Sequence, residues 1–473
     1  MILNKDDFYN KNPWWLENKI ILPENDWIHR DLYYQLKKDL RLPMILNILG
    51  LRRVGKSTIA KQLIADLLSS GKEPRHIFYY QFDEYKSINT TQNLEDILNY
   101  YLETVLEQKI FALKKRVYVF FDEIQYVPDW QAVLKKYYDL SNKKIKFVIT
   151  GSQSILLRKK TRESLAGRIL DYHLTPLSFS EFLKIKGKTK NNWLENNFDI
   201  FKLDKTWSDL EKLNYQYGAN LAKESKEYVL TGQFPECLSI NSQATRNVYL
   251  RESVVGKIME DILTIYDIDK REHFKILSFY LLKNSGNLLE LKNIAREIGL
   301  SFLSVDKYFG FLQRGYLFKI LYKKHKTSIK QGRILKKIYA TSSNFVSAME
   351  NYQSEDFRKN PEAFGHIIET TIFNFLDTYY AGDKLINKIS FWRQGGKEID
   401  FLLKNNKKEI PLEVKFTNDV NEQKLKSLLN YSQQKKINFS VVITKNKLEK
   451  KTIKKHKIYF LPYYLLLLFN NKK

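Results

Sequence analysis

The sequence holds one cysteine, Cys237, in 473 residues. An internal disulfide framework is excluded, and so sparse a thiol content fits a reducing, cytoplasmic setting. The seven histidines are scattered and have no second cysteine to join, which excludes a Cys/His zinc cluster. Acids are short as well: 53 stand against 79 basic residues, for a formal net charge of +26. Lysine, asparagine and isoleucine are plentiful, as codon bias produces, but such bias does not by itself explain the basic excess. A chain this basic suits a polyanionic partner, nucleic acid or an anionic membrane surface. Long apolar runs are also missing. Asn4, Lys5, Asp6 and Asp7 interrupt any secretory signal at the start of the chain. The longest run, Ile458–Phe469, contains Pro462 and falls short of the roughly 20 residues a spanning helix needs. It reads as a buried strand or helix, and no membrane partner is expected.

What is present is soluble-globular in balance, 43% apolar and 28% charged, with length for two to four domains. One stretch organises the rest. Met44–Ile59 reads MILNILGLRRVGKSTI, a G-x-x-x-x-G-K-[ST] phosphate loop between a strand-like run and a helix-like run. The glycines Gly50 and Gly55 let backbone N–H groups curl around phosphates, and the helix that follows points its positive end at the same anion. Lys56 is placed to reach the β- and γ-phosphates and the Ser57 hydroxyl to ligate Mg²⁺. The nucleotide seat is therefore expected from Gly50, Arg53, Val54, Gly55, Lys56, Ser57 and Thr58, with ATP and Mg as cofactors.

Further strands are expected at His76–Phe82, Arg116–Glu123, Lys146–Ser152 and Ile169–Leu174, with helices at Asp31–Leu40 and across Leu94–Leu113. The run RVYVFFDE is near-continuously apolar, as a parallel strand buried on both faces would be, and ends in two acids. That is a Walker B ending: Asp122 for the Mg²⁺ shell and Glu123 to polarise the attacking water. After KFVITGS, Thr150 or Ser152 is placed either to sense the γ-phosphate or merely to cap the strand. Arg168 either touches nucleotide phosphate, in its own or a neighbouring subunit, or pairs with a surface acid.

Taken together, GLRRVGKST, FFDEIQ with Pro128 and Trp130, ITGSQS, LAGR and PLSFSEF resemble the AAA+/STAND-related P-loop ATPases of archaea and bacteria, over roughly residues 25–185. The resemblance implies a parallel sheet with helices on both faces and nucleotide at the strand C-termini. It also implies that Lys56, Ser57, Asp122 and Glu123 are the nucleotide and Mg²⁺ residues.

Residues 186–270 read as a helical lid or linker. Within them GQFPECL, Gly232–Leu238, resembles a Gly-x-Phe-Pro element of that family and reads as a packed turn. Over 271–345 the order is helix, turn at Gly299, helix, strand pair, a winged-helix pattern whose second helix should expose Ser304, Lys307 and Tyr308. Lys319–Lys337 carries eight Lys or Arg and no acid, which suits either a wing on phosphates or a solvated basic hairpin on a protein–protein spacer.

The last unit, 355–473, opens with GHIIETTIFNFL, a helix carrying Glu369, followed by SFWRQGGKEIDFLLKNNKKEIPLEVKF. Alternation puts Glu413 and Lys415 on one strand face, and Asp400 joins them if the intervening turn has an even number of residues. Two acids can hold Mg²⁺, and a lysine beside them can stabilise developing charge. With the Glu369 helix, WRQGGKEIDF and PLEVK resemble the PD-(D/E)XK restriction-endonuclease-like domain. That resemblance implies Glu369, Asp400 and Glu413 as metal positions and Lys415 as a catalytic one. The match departs at KIYATSSNF, Lys337–Phe345, where a Tyr-x-x-Asp-x-Gly-Leu element is expected.

The expected fold is thus α/β: a P-loop parallel sheet (1–185), a helical linker (186–270), a winged helix (271–345) and a nuclease-like α/β domain (355–473). The expected function is ATP hydrolysis on DNA with a nucleotide-controlled, Mg-dependent nuclease. The alternative is an ATP switch whose C-terminal half binds DNA or protein without cutting. A homo-oligomer is compatible with either.

Overall fold

A computed structural model describes residues 5–16, 27–82, 89–151, 165–188, 198–324, 335–359, 364–379, 387–406 and 408–469. The chain divides into two units, Met1–Thr175 and Pro176–Lys473.

The first unit is built on a five-stranded parallel sheet in the order β2-β3-β4-β1-β5. Its strands are β1 (Ile45–Gly50), β2 (Ile77–Gln81), β3 (Val117–Asp122), β4 (Ile145–Gly151) and β5 (Ile169–Leu174). Every residue of β1, β3 and β4 is buried, which is why those segments are apolar throughout instead of alternating. Helices Lys56–Ser69, Thr91–Tyr100 and Trp130–Leu140 lie between strands in the chain. The aromatic lead-in completes one edge: the indole N–H groups of Trp14 and Trp15 donate to the Ile77 carbonyl at 3.0 and 2.9 Å, while Trp27 is exposed. The helix expected to run to Leu113 stops being regular at Tyr100. A π-type turn, Tyr101–Val105, follows it, and Glu107 adopts a left-handed backbone (φ 53°) that ends the run.

The second unit runs from Pro176. Helix Phe179–Ile185 is capped by reciprocal Ser178–Glu181 bonds. It sets Phe179 and Phe182 at a tilt against Tyr228 of the long helix Leu203–Leu230, at 5.2 and 5.6 Å between ring centroids. Helices Arg271–Lys283, Leu291–Glu297 and Phe302–Arg314 then precede a hairpin of β6 (Phe318–Tyr322) and β7 (Lys336–Ala340). On the third of these helices Lys307 is exposed, but Tyr308 is buried; Phe302 and Leu303 take the exposed positions instead. Tyr308 faces inward because its ring meets Phe274 edge-on at 5.7 Å.

Two segments without an assigned role prove to be partners. In GQFPECL, Gln233 donates its backbone N–H to Asn344 Oδ1 (2.7 Å) and its amide to Ser343 Oγ (2.9 Å), and accepts from Ser342 Oγ (2.6 Å). The departing segment KIYATSSNF therefore satisfies the buried polar groups of that turn, as interiors require.

The C-terminal sheet has six strands in the order β12-β13-β11-β10-β9-β8. They are β8 (Asn387–Gln394), β9 (Lys397–Asn405), β10 (Lys408–Lys415), β11 (Phe439–Thr444), β12 (Glu449–Ile453) and β13 (His456–Pro462). Ile399, Leu402, Leu428, Val442, Ile458 and Phe460 form its core on one face. The run Ile458–Phe469 becomes most of β13, the helix Tyr463–Leu466 and the turn after it, all of it buried. Among the described residues no helix is long and apolar enough to cross a membrane.

Candidate functional site

Gly50 ends β1, and residues 51–55 turn the chain into the helix Lys56–Ser69. Gly50 has no room for a side chain, since a Cβ there would stand 2.4 Å from the Leu174 carbonyl oxygen. Gly55 holds φ 98°, and Arg53 is also left-handed at 65°, the backbone shape that lets successive N–H groups point into one concavity. Lys56 is buried; its Nζ donates to the Leu51 carbonyl at 3.0 Å and lies 3.6 Å from Glu123 Oε1. Asp122 and Thr150 come to the same edge from the ends of β3 and β4. The Thr150 hydroxyl donates to Asp122 Oδ1 and accepts the Glu123 N–H at 3.1 Å. Val54 is buried, Ser57 and Thr58 are half-buried, and Arg53 is exposed. Ser152 lies outside the described residues.

The two acids are electrostatically unlike. Burial, then the neighbouring Glu123 charge, raises Asp122 above the ordinary carboxylate range despite hydrogen bonds from Ser57, Thr150 and Tyr79. Burial also works against Glu123, but Lys56, Gln125 and Arg52 outweigh it and hold that carboxylate low. A buried Asp beside a serine hydroxyl, with no cation paired to it among the described residues, is a hard-oxygen donor pair of the kind Mg²⁺ takes. The residues present fit that ion.

Residues 43–183 match the family described as AAA domain. The first unit thus contains an AAA-type P-loop domain, a nucleotide-binding fold usually served by magnesium. Residues 222–356 and 364–466 match two families described as domains of unknown function, DUF8612 and DUF4143. The chain is 27% identical to the uncharacterized protein MJ1544 of Methanocaldococcus jannaschii over 79% of this chain and 76% of that one. It is 25% identical to an uncharacterized protein of Haemophilus influenzae over 81% and 85%. Among solved structures, the Aeropyrum pernix ORC1 protein in complex with DNA aligns at TM-score 0.31 and 13% identity, covering 73% of this chain and 97% of that one. The Thermotoga maritima RuvB branch migration motor aligns at 0.28 and 15%, covering 60% and 88%.

Arg168 does not join this AAA-type site. It precedes β5, whose Ile169 pairs with Ile45 at the start of β1, so it sits at the opposite end of the sheet, roughly 17 Å from the Gly50 end. There it forms a two-point pair with Asp139 at 3.1 and 3.2 Å. The expectation of contact with its own subunit's nucleotide is corrected by this placement. Arg30 was missed by sequence reading. Buried, it donates to the Val54 carbonyl at 2.7 Å and the Thr175 carbonyl at 2.9 Å, tying the phosphate loop to the chain just after β5. Nothing local marks it, since its partners are 24 and 145 residues away.

In the second unit β9 and β10 pair with Leu412 opposite Phe401, and two residues separate Asn405 from Lys408. The turn is even, so Asp400, Glu413 and Lys415 do share a face, joined by Glu398. Lys415 Nζ lies 2.7 Å from Glu413 Oε1, and Asp400 Oδ2 accepts the Val414 N–H at 2.8 Å. Glu369 approaches from the helix Gly365–Tyr379, near enough that its charge acts on Glu413. A group absent from the sequence argument lies among them: Lys337 of β7, with Nζ 3.0 Å from Glu369, 2.7 Å from Glu398 and 3.8 Å from Asp400. Tyr339, two residues on, donates to Glu369 Oε1 at 2.6 Å. Burial and then the Asp400 charge push Glu369 up to about 7 and Glu413 up to about 8. Among the described residues no group of three or more His, Cys, Asp or Glu is arranged to hold a metal ion. Glu398 was legible from the period-2 pattern of KEID; Lys337, 61 residues before it, was not.

Part of the basic hairpin pairs within the chain. Lys319 pairs with Asp377 at 2.7 Å, and Lys324 with Glu409 at 2.6 Å and Tyr431 at 2.8 Å. With Lys337, these side chains face acids of the chain itself. Lys326, Lys330 and Arg333 lie outside the described residues.

Proposed function

We propose that this chain binds and hydrolyses ATP and uses the nucleotide state to act on nucleic acid, DNA in the first place. The observation that carries the first half is the convergence of Lys56, Ser57, Asp122 and Glu123 on one edge of the parallel sheet, bridged by Thr150. In this reading the loop amides and Lys56 hold the phosphates, and Ser57 and Asp122 hold Mg²⁺. Magnesium, when bound, supplies charge neutralisation across the β- and γ-phosphates. Glu123 is the base: its backbone is fixed by Thr150, and its carboxylate stays ionised beside Lys56, the form needed to orient a water.

The second half rests on the charge of +26 and on the helix–turn–helix–hairpin order of 271–340, which is that of a winged helix. Lys292, Arg296 and Lys307 are exposed basic residues of that region available to meet phosphate, and Lys323 and Lys336 are half-exposed ones on the hairpin. The C-terminal sheet is read as a binding module rather than a nuclease, because the Lys337 ammonium already sits 3.0 Å from Glu369 and 3.8 Å from Asp400, two of the acids that cleavage would require. Trapping of bound ATP without turnover in Glu123→Gln, and loss of ATP binding in Lys56→Ala, is the expected result. Equal phosphate release by wild type and Glu123→Gln would overturn the assignment. For the DNA half, anisotropy titrations against salt should give a steep slope; affinity independent of salt would refute it.

A further inference from the structure

We infer that the acid cluster of the second unit is a cation site whose resident cation is the chain's own Lys337 ammonium, so that it accepts no divalent metal while that side chain is in place.

Four carboxylates converge here, Glu369, Glu398, Asp400 and Glu413, against three cationic groups, Lys337, Lys415 and Arg393. Even with all four ionised, at most one negative charge is left over, too little to hold a doubly charged ion against two ammonium groups. Position agrees with charge. A magnesium or manganese ion binds carboxylate oxygens at about 2.0–2.2 Å. The Lys337 nitrogen, at 2.7 and 3.0 Å from Glu398 and Glu369, fills the volume that such an ion shared by them would need. The cluster is not fully satisfied: Glu413 is buried, and its Oε2 meets no hydrogen-bond partner among the described residues.

The ammonium is held in place by backbone as much as by charge. Lys337 lies in the β6–β7 ladder opposite Leu321, and Gly286 N–H to Ile338 O (2.7 Å) and Leu289 N–H to Lys336 O (2.8 Å) fix the other side of its strand. Gly286, whose φ of 94° favours glycine, brings the chain alongside the cluster, where a Cβ would stand in ordinary contact with the Glu369 carboxyl at 3.9 Å. The hairpin is in turn fastened to the C-terminal sheet by the Lys324 N–H donating to the Phe391 carbonyl at 2.7 Å. Lys337 is thus a side chain delivered to the acids by a strand bonded on both sides.

The test is Mn²⁺ titration of the full chain without nucleotide, followed by electron paramagnetic resonance of the free ion, together with thermal melts. Wild type and Asp400→Asn should bind Mn²⁺ identically, because the cluster takes none in either. Lys337→Met should bind about one additional Mn²⁺ per chain and be stabilised by it, and Lys337→Met/Asp400→Asn should lose both effects. Manganese binding by wild type that disappears in Asp400→Asn overturns the inference, and that comparison needs no Lys337 variant to fold. A folded Lys337→Met chain that gains no Mn²⁺ overturns it equally. ATP turnover, measured alongside, reports separately on the nucleotide site.

Discussion

Replacing Thr150 by valine tests the nucleotide edge at a single hydroxyl. The side chain is buried, and valine matches its volume, so no cavity opens. Two hydrogen bonds go: the one accepted from the Glu123 N–H at 3.1 Å and the one donated to Asp122 Oδ1. A buried N–H left without a partner costs about 1–3 kcal/mol, and a bond to a charged group is worth about 1.5–3 kcal/mol. The two share one atom and do not add in full, so the expected loss is about 2–4 kcal/mol. At roughly 2–4 °C per kcal/mol for a unit of this size, the first unit should melt roughly 5–15 °C lower. Calorimetry reads the melt, and phosphate release from ATP reads the site, which should slow because Glu123 loses its backbone anchor. Thr150→Ser keeps the hydroxyl and should recover most of both. A valine variant that melts with wild type and hydrolyses ATP at the same rate refutes the role given to Thr150.

Arg168→Ala removes an exposed pair with Asp139 and should cost no more than about 1 kcal/mol; ATP affinity measured by calorimetric titration should not change, and a loss above tenfold would put Arg168 back at a nucleotide. Lys324→Gln should lower the melting temperature of the second unit while leaving the salt dependence of DNA binding unchanged, since its charge is already spent on Glu409; a flattened slope would place Lys324 on phosphate. Glu369 and Glu413 have folded-state values raised from 4.5 to about 7 and about 8, so their contribution is fully present below about 4.5 and is lost as pH rises through those values. Stability should therefore fall from acid toward pH 8, and Glu413→Gln should flatten the fall; parallel profiles for the two proteins would contradict the shift.

The sequence by itself determined the nucleotide half. A phosphate loop and a Walker B strand are local objects: GLRRVGKST carries its own glycines, lysine and hydroxyls, and VYVFFDE brings its acids at the end of a run that can only be a buried strand. Period-2 alternation with an even turn was likewise enough to bring Asp400, Glu413 and Lys415 to one face, because register follows from counting. What the tertiary structure decided were meetings between residues far apart in the chain. Arg30 at the phosphate loop, Gln233 against Ser342–Asn344, and Lys337 among the acids have no sequence period to announce them. A lysine-rich hairpin reads identically whether its ammonium groups face solvent phosphate or an acid of the same chain. Only the packing of β6 and β7 beside the Glu369 helix and β9 distinguishes the two, and it puts the Lys337 ammonium among the acids read from the sequence as metal positions.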